Sequence, residues 1–449
     1  MPGMKHQLIS LDFMADRDEV IDASDPGTGK TFVGIEDFAA HYDGTHPGLI
    51  LAPKSLLESA WKDDFTKFRP ELNVSVAWAE NREKAFATPA DVYVTNIDGV
   101  TWLAKQRRPW FKKFSRLYID ESTKFKHPDS QRSKAAKYVA SQFKVRRAMS
   151  GSFYGNSILD CFHQVLLVDG GKSLGKSYYQ FRASVTDCVM TGPKGDRPEW
   201  VEREHSRAAV AALISHMTIR HVFEECIDIP PNHNYSLSFH MPKKLATHYW
   251  EMANIKATVS DRLVSTLGGG SVNNKLLQIA SGAVYADGDE EGMGDYTLLD
   301  NSRYLMVADL VEERKHGIVF FLWRHQRDEL IKEFKKRGIH YCIYDGTVGD
   351  KERSQIKRDF QAGFYQAMLA HPDSAGHGLT LTKGTYTLWP SPTGNHEWFL
   401  QGMKRVYRNT QTQKTENITI VAKDTVEEET YARCLRRGDN NNELNSYLE

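Results

Sequence analysis

A short turn that ends in lysine and threonine can cradle a phosphate. Asp22-Ala-Ser-Asp-Pro-Gly-Thr-Gly-Lys30-Thr31 is such a turn. The apolar pair Val20-Ile21 enters it, and Phe32-Val-Gly-Ile-Glu-Asp-Phe-Ala-Ala leaves it with helical spacing. In the order strand, loop, helix, the loop turns its N–H groups inward and the helix start adds its positive dipole end. Lys30 can reach the β- and γ-phosphates of a nucleotide, and Thr31 can hold Mg²⁺. Asp25, Pro26, Gly27, Thr28 and Gly29 form the cradle, with Gly27 and Gly29 permitting close backbone approach. Ser24 stands where such loops usually begin with glycine. The cofactors expected are ATP and Mg²⁺.

A second stretch supplies acids. Leu117-Tyr-Ile-Asp120-Glu121 is an apolar strand that closes on paired carboxylates. Asp120 suits a metal ligand, and Glu121 suits the group that polarises the attacking water. A third supplies cations. In Gln401-Gly-Met-Lys-Arg405-Val-Tyr-Arg408-Asn-Thr-Gln411 the two arginines are three apart and would share one helix face. Two such guanidiniums can grip a polyphosphate and stabilise transition-state charge. His371 and His377 lack the acidic or cysteine company of a metal pair.

The elements that must position these groups read as two α/β lobes. Strands are expected at Glu19–Ala23, Leu49–Ala52, Val92–Thr95, Leu117–Ile119 and Arg147–Ser150, with helices at Leu56–Phe68 and Ser133–Phe143. The alternation predicts a parallel sheet covered by helices, with ligands at the strands' carboxyl ends. Helices are expected to dominate 169–227, and Pro230-Pro231-Asn232 reads as a boundary. Another helix is expected over Lys243–Thr266, ending at Gly268-Gly-Gly-Ser, and a surface loop at Asp287–Gly294. Alternation resumes at Gly317–Leu322, Tyr341–Tyr344, Ala367–Ala370, Tyr386–Trp389 and Asn417–Val421. The expected domains are 1–229, with a helical protrusion at about 169–227, and 230–449, with a helical insertion at about 240–300.

Bulk properties bound the class. The 449 residues exceed one ordinary core, and 40% hydrophobic with 26% charged residues suits a globular protein. No apolar run is long enough to span a membrane and the start lacks a signal-like apolar core, so a cytoplasmic location is expected. The 58 basic and 58 acidic side chains balance, which argues against a polybasic packaging protein but leaves room for a local basic groove. Two basic runs, Lys105–Lys113 and Lys332–Arg337, could track a nucleic-acid backbone. The five cysteines form no CxxC pair, so neither a zinc site nor a disulfide framework is expected.

Several stretches together resemble the superfamily-two helicase-like ATPases of the Swi/Snf type, in order and over nearly the whole chain. Gly48-Leu-Ile-Leu-Ala-Pro-Lys-Ser-Leu-Leu-Glu-Ser-Ala-Trp is similar to motif Ia and Asp91-Val-Tyr-Val-Thr-Asn to motif Ib. Asp120-Glu-Ser-Thr-Lys-Phe-Lys-His-Pro is similar to motif II, and Met149-Ser-Gly-Ser-Phe-Tyr-Gly-Asn to motif III. Ser173-Leu-Gly-Lys-Ser-Tyr-Tyr-Gln-Phe-Arg resembles the start of the family's helical protrusion. Asp345-Gly-Thr-Val-Gly-Asp-Lys-Glu-Arg resembles motif IVa, Ala370–Thr382 motif V, and Gln401–Gln411 motif VI. Thr123 and Ser152 depart from the usual His and Thr. The resemblance implies RecA-like lobes with ATP between them and Arg405 and Arg408 acting as fingers across the cleft. It implies Gln7 as an adenine reader and Gly378 and Gln401 beside the nucleotide. It also implies Lys54, Ser55, Thr95, Lys124, Lys126 and Ser374 on nucleic acid.

The function expected is an ATP-dependent translocase or helicase on duplex, forked or branched DNA, doing branch migration in replication, recombination or repair. The absence of a histone-reading module suits a bacterial or phage setting, with replication or recombination proteins as partners. Two rivals are a P-loop ATPase without nucleic acid, which DNA would not stimulate, and a nucleotide-switched DNA-binding or recruitment protein. Glu121, Arg405 and Arg408 speak against the second.

Overall fold

The computed structural model describes residues 3–151, 153–154, 157–191, 197–262, 269–285, 294–375 and 380–446. They form two compact units, the first within Met1–Thr191 and Arg197–Asp228, the second Ile229–Gly438. The chain from Asp439 groups with the first.

The first unit carries strands β1 (Glu19–Asp22), β2 (Gly48–Ala52), β3 (Val74–Ala77), β4 (Val92–Asn96), β5 (Arg116–Asp120), β6 (Val145–Met149), β7 (Thr186–Thr191), β8 (Arg197–Glu202) and β9 (Thr218–Ile219). Seven make one sheet in the order β3-β4-β2-β5-β6-β1-β9. Every pairing in it is parallel. All five residues of β2 and of β5 are buried, as strands covered on both faces must be. Because the strands run one way, the turns after β1, β2, β5 and β6 open on one edge of the sheet.

A buried carboxylate locks this arrangement. Asp37, on the helix Lys30–His41, accepts from Tyr118 Oη at 2.7 Å, Arg147 Nε at 3.1 Å and Arg116 Nη1 at 3.3 Å. The helix that starts at Lys30 is thereby fixed to the strand that ends at Asp120. Removing one partner of such a buried set typically costs about 3–5 kcal/mol, because the remaining charge has no water to return to.

The second unit carries β10 (Asn232–Phe239), β11 (Ala283–Tyr285), β12 (Tyr296–Leu298), β13 (Gly317–Phe320), β14 (Tyr341–Tyr344), β15 (Ala367–Ala370), β16 (Tyr386–Trp389) and β17 (Thr415–Ala422). Six form a parallel sheet in the order β10-β17-β16-β13-β15-β14. At the carboxyl ends of its strands lies a second buried polar cluster. Arg303 donates to Glu427 at 3.0 Å and to the carbonyls of Pro390 and Ala280. Gln326 donates to Ser281 and Ser391, and His325 lies between Ser281 Oγ and Tyr285 Oη.

The two parallel sheets agree with the expected α/β class, and several local expectations need correction. Within 169–227 the helices Tyr178–Val185 and Ser206–Ile214 are separated by an antiparallel pair, β7 with β8, that was not expected. Inside the expected insertion the helix Lys243–Arg262 is followed by a second helix, Gly269–Ala280, which begins in the glycine run, and by an antiparallel β11–β12 pair. The stretch after β2 is a 3₁₀ turn at Lys54–Leu56, a π-helical turn at Leu57–Lys62 and an α-helix at Asp63–Phe68, not one helix from Leu56. The expected acidic loop at Asp287–Gly294 lies almost wholly outside the described residues, as do Ser152 and Gly378.

Candidate nucleotide site

The phosphate loop follows β1 as expected. Gly27 and Gly29 have φ of 97° and 88°, a left-handed backbone that disfavours a side chain. Gly29 caps the helix whose first residues are Lys30 and Thr31. Lys30 Nζ donates to the carbonyls of Ser24 and Asp25 at 2.6 and 3.0 Å. These bonds fold the lysine along its own loop, and a bound polyphosphate would compete for the same ammonium. Thr28 Oγ1 donates to Asp25 O at 2.9 Å, tightening the turn.

Gln7 reaches this loop from the first helix. Its Nε2 donates to Thr28 O at 3.1 Å while its Oε1 accepts from Met4 N–H. His6 Nε2 lies 2.7 Å from the same carbonyl. Sequence reasoning gave His6 no role. Pro26 is held from the β6 side, where a Cβ on Gly151 would come within 2.6 Å of Pro26 Cγ.

Asp120 closes β5. Its Oδ2 accepts from Trp61 Nε1 at 2.9 Å and its Oδ1 from the Glu121 N–H at 3.0 Å. Burial, and then the Glu121 charge, push its carboxyl up to about 7, against the pull of Trp61 and Lys30. A cation beside it would relieve that cost. The oxygen donors Asp120 and Thr31 suit Mg²⁺, which keeps waters and takes phosphate oxygens instead of a full protein cage. Among the described residues there is no group of three or more His, Cys, Asp or Glu that could hold a metal ion. Bound at Asp120 and Thr31, Mg²⁺ would neutralise phosphate charge.

Glu121 takes a left-handed backbone, φ 53° and ψ 55°, rare for a residue with a side chain. Strain of this kind is held only where neighbours impose it. Ser122 is one such neighbour: its hydroxyl donates to Gln164 Oε1 at 2.6 Å. The Gln164 amide in turn donates to Phe153 O at 2.6 Å and Asp160 O at 3.0 Å. Fully buried Gln164 therefore ties the acidic turn to the loop after β6.

The expected nucleic-acid residues divide. Lys54 and Ser55 are exposed on the turn after β2. Lys126 pairs with Asp160 at 3.4 Å, and Lys124 is half-buried. Thr95 is corrected: its side chain is fully buried and donates to Ala77 O at 2.8 Å, so it joins β4 to β3 and has no face for a backbone phosphate. The basic runs are also partly consumed. Arg337 pairs with Asp309, Glu312 and Glu333, and Lys113 lies 4.5 Å over the Trp110 ring.

In the second unit, Arg405 and Arg408 do not sit on a helix. The helix His396–Met403 ends before them, and its final carbonyls need donors. Arg405 Nε gives one to Gln401 O at 2.8 Å, and Arg408 Nε gives one to Lys404 O at 3.1 Å. Arg408 Nη1 also donates to Thr380 Oγ1 at 2.6 Å. The arginines are thus set by turn geometry, each anchored through its Nε. Gln401 is buried with its amide on Glu397 at 3.1 Å. Ser374 is half-buried on the short helix Pro372–Ala375.

The chain matches the SNF2-related domain over residues 6–282 and the helicase conserved C-terminal domain over residues 302–410. It is 26% identical over 424 residues to protein p41 of Acyrthosiphon pisum secondary endosymbiont phage 1, covering 89% of this chain and 88% of that one. It is 23% identical to the Danio rerio chromodomain-helicase-DNA-binding protein 1-like over 87% of its own length, but spans only 38% of that relative. Mycobacterium smegmatis helicase Lhr, solved with ssDNA and AMP-PNP, shares the fold at a TM-score of 0.57 and 13% identity, over 98% of this chain and 48% of that one. With the SNF2-related domain spanning more than half its length, the chain belongs to the SNF2 family of superfamily-two helicase-like proteins and is an ATP hydrolase.

Proposed function

We propose that this ATPase is a DNA translocase that remodels forked or branched duplexes. The observation that carries the ATP half is the pairing of a phosphate loop after β1 with Asp120 and a strained Glu121 after β5, on one edge of one sheet. Lys30 and the loop N–H groups bind the polyphosphate. Asp120 and Thr31 hold its Mg²⁺. Glu121 orients and polarises the attacking water, and Arg405 and Arg408 stabilise charge in the transition state.

The DNA half rests on family membership and on the DNA-binding name of one relative. Exposed Lys54 and Ser55 after β2 offer backbone contacts without base reading. A small duplex motor works most economically where two duplexes meet. Each base-pair step there breaks about as much stacking and pairing as it forms, so only directional bias is needed. The chemistry fits a place in replication, recombination or repair.

The test measures ATP turnover with no nucleic acid, single-stranded DNA, duplex, forked DNA and RNA, then follows labelled four-way junctions and tailed linear duplexes of matched arm length. Stimulation by duplex and forked DNA, with ATP-dependent movement of junctions, is expected. A rate indifferent to nucleic acid would leave an ATPase without DNA. Unwinding of tailed duplex with junctions untouched would make it a conventional helicase.

A further inference from the structure

The phosphate loop is gripped by a segment 195 positions further along the chain. β1 and β9 pair over only two residues each, Ile21 with Thr218 and Asp22 with Ile219. The ladder then continues beyond both strands into the loop. Ala23 N–H donates to Ile219 O at 2.9 Å, and Asp25 N–H donates to His221 O at 3.0 Å. His221 N–H donates back to Ser24 Oγ at 3.1 Å.

The Asp25 side chain is engaged from the same segment. One carboxylate oxygen receives Arg220 Nη2 at 3.3 Å and the other receives the Phe223 N–H at 3.1 Å. The Phe223 ring covers Gly27 so closely that a Cβ there would come within 2.8 Å of it. Gly27 thus needs to be glycine twice over, for its left-handed backbone and for the ring. The Arg220 side chain is almost fully buried, so this ion pair is poorly screened.

These contacts have an electrostatic consequence. Asp25 is an anion inside a loop built to receive anions. Left unpaired, its carboxylate would repel the β- and γ-phosphates. Paired with Arg220 and the Phe223 N–H, it becomes a strut that holds the turn. The chain passes into the second unit at Ile229, shortly after this segment.

We propose that Arg220 and Phe223 are positioning residues for nucleotide binding: Arg220 neutralises Asp25, and Phe223 clamps the turn at Gly27. The proposal rests on the reading that the loop after β1 binds ATP. Its own content is that the loop is competent only when latched from 219–223. A purely structural role would lower stability and leave the Kd of the folded chain at the parent's value. The latch instead makes the cost of losing Arg220 depend on the Asp25 charge.

The experiment titrates a fluorescent ATP analogue with Mg²⁺ into the full chain and four variants: Arg220→Gln, Asp25→Asn with Arg220→Gln, Phe223→Ala and Lys30→Ala. Thermal melts check folding, and Phe223→Leu replaces Phe223→Ala if the latter fails to fold. Arg220→Gln should raise Kd about tenfold, the scale of one lost charge-assisted contact. Adding Asp25→Asn should recover part of that loss, because the repelling charge is gone, while the missing strut keeps Kd above the parent's. Phe223→Ala should also raise Kd. A Kd for Arg220→Gln equal to the parent's, or a double variant no better than the single, overturns the latch. If Lys30→Ala weakens binding while the latch variants do not, the ATP site stands and the latch falls. If the parent chain binds no nucleotide, both fall.

Discussion

Trp61 Nε1 donates to Asp120 Oδ2 at 2.9 Å, and Trp61 sits in the π-helical turn Leu57–Lys62. The two facts belong together. A π-turn takes in one more residue than an α-turn, and the Trp61 indole it carries reaches the end of β5 at Asp120. The wide turn therefore sets the orientation of a buried carboxylate. Trp61 itself is fully buried, and its ring end lies 3.1 Å from where a Cβ on Gly34 would be.

Trp61→Phe keeps the apolar bulk and removes the donor. The Asp120 carboxyl, already raised by burial and by Glu121, loses one group that favours its ionised form. In the chain without metal its proton should then be held to higher pH, so the acid limb of the pH dependence of Mg²⁺–nucleotide binding should move upward. Turnover at neutral pH should fall about tenfold, as for loss of one hydrogen bond to a charged group. An unchanged profile would separate Trp61 from the chemistry.

Glu121→Gln keeps the side-chain shape in its left-handed turn and removes the group that polarises water. Nucleotide affinity should be near that of the parent, and kcat should fall by about 10²–10⁴, the usual range for a general base. Rapid-mix turnover with parallel binding titrations separates the two quantities. Hydrolysis near the parent rate would remove Glu121 from the mechanism.

Arg405→Ala and Arg408→Ala should each cut turnover while nucleotide affinity stays largely intact. An arginine that meets transition-state charge can contribute about 10³–10⁵ in rate. The same substitutions also remove donors from the carbonyls of Gln401 and Lys404, so Arg405→Lys and Arg408→Lys are needed beside them. Lysine variants that stay folded yet remain slow would point to guanidinium chemistry. Normal hydrolysis in both alanine variants would assign these arginines to the turn alone.

Much of the fold was legible because buried parallel strands are short, apolar and bounded by turn residues. Tyr341–Tyr344, Ala367–Ala370 and Tyr386–Trp389 have their expected bounds. The strands that escaped are those without that signature. β9 is two residues long, β10 alternates polar and apolar residues along an edge with half its residues exposed, and β3 is largely half-exposed. At the site, Lys30, Asp120 and Glu121 were legible because their roles are local to a loop or a strand end. Trp61, Gln164, Arg220 and Phe223 were not, because their partners are 59, 42, 195 and 198 positions away. Thr95 misled for the complementary reason: a small polar residue near a strand end looks the same whether it faces solvent or a neighbouring strand's carbonyl.

Gln164→Leu breaks the link between Ser122 and the carbonyls of Phe153 and Asp160. All of these groups are wholly or partly buried, so their lost partners are not fully replaced by water. Stability should fall by about 1–3 kcal/mol. The sharper expectation is catalytic, since Ser122 adjoins the strained Glu121: kcat should drop more than nucleotide affinity. Ser122→Ala removes only one bond and should show a weaker form of both effects. A Gln164→Leu chain that is destabilised but turns over at the parent rate when folded would confine Gln164 to packing.

His325 gives the second unit a pH dependence whose sign can be worked out. Its ring is fully buried, with Nδ1 2.8 Å from Tyr285 Oη and Nε2 2.9 Å from Ser281 Oγ. Burial, and then the nearby Arg303 charge, push its pKa down to about 3. In the unfolded chain the same ring takes a proton near its ordinary value of about 6.5. Above that pH neither state is protonated and His325 contributes no pH dependence. As pH falls below it, the unfolded chain gains a proton that the folded unit refuses, so stability is lost progressively until the folded pKa is reached. At pH 4.5 that loss should amount to about 2–3 kcal/mol, two pH units at roughly 1.4 kcal/mol each. His325→Gln keeps a polar side chain that cannot be charged in this range. It should be less stable than the parent at pH 7, since the ring's two hydrogen bonds are not fully reproduced, yet lose less stability between pH 6.5 and 4.5. Hydrogen exchange of the helix Arg324–Arg337 across that range reads the second unit directly. Equal pH slopes in the parent and His325→Gln would show that other groups carry the acid sensitivity.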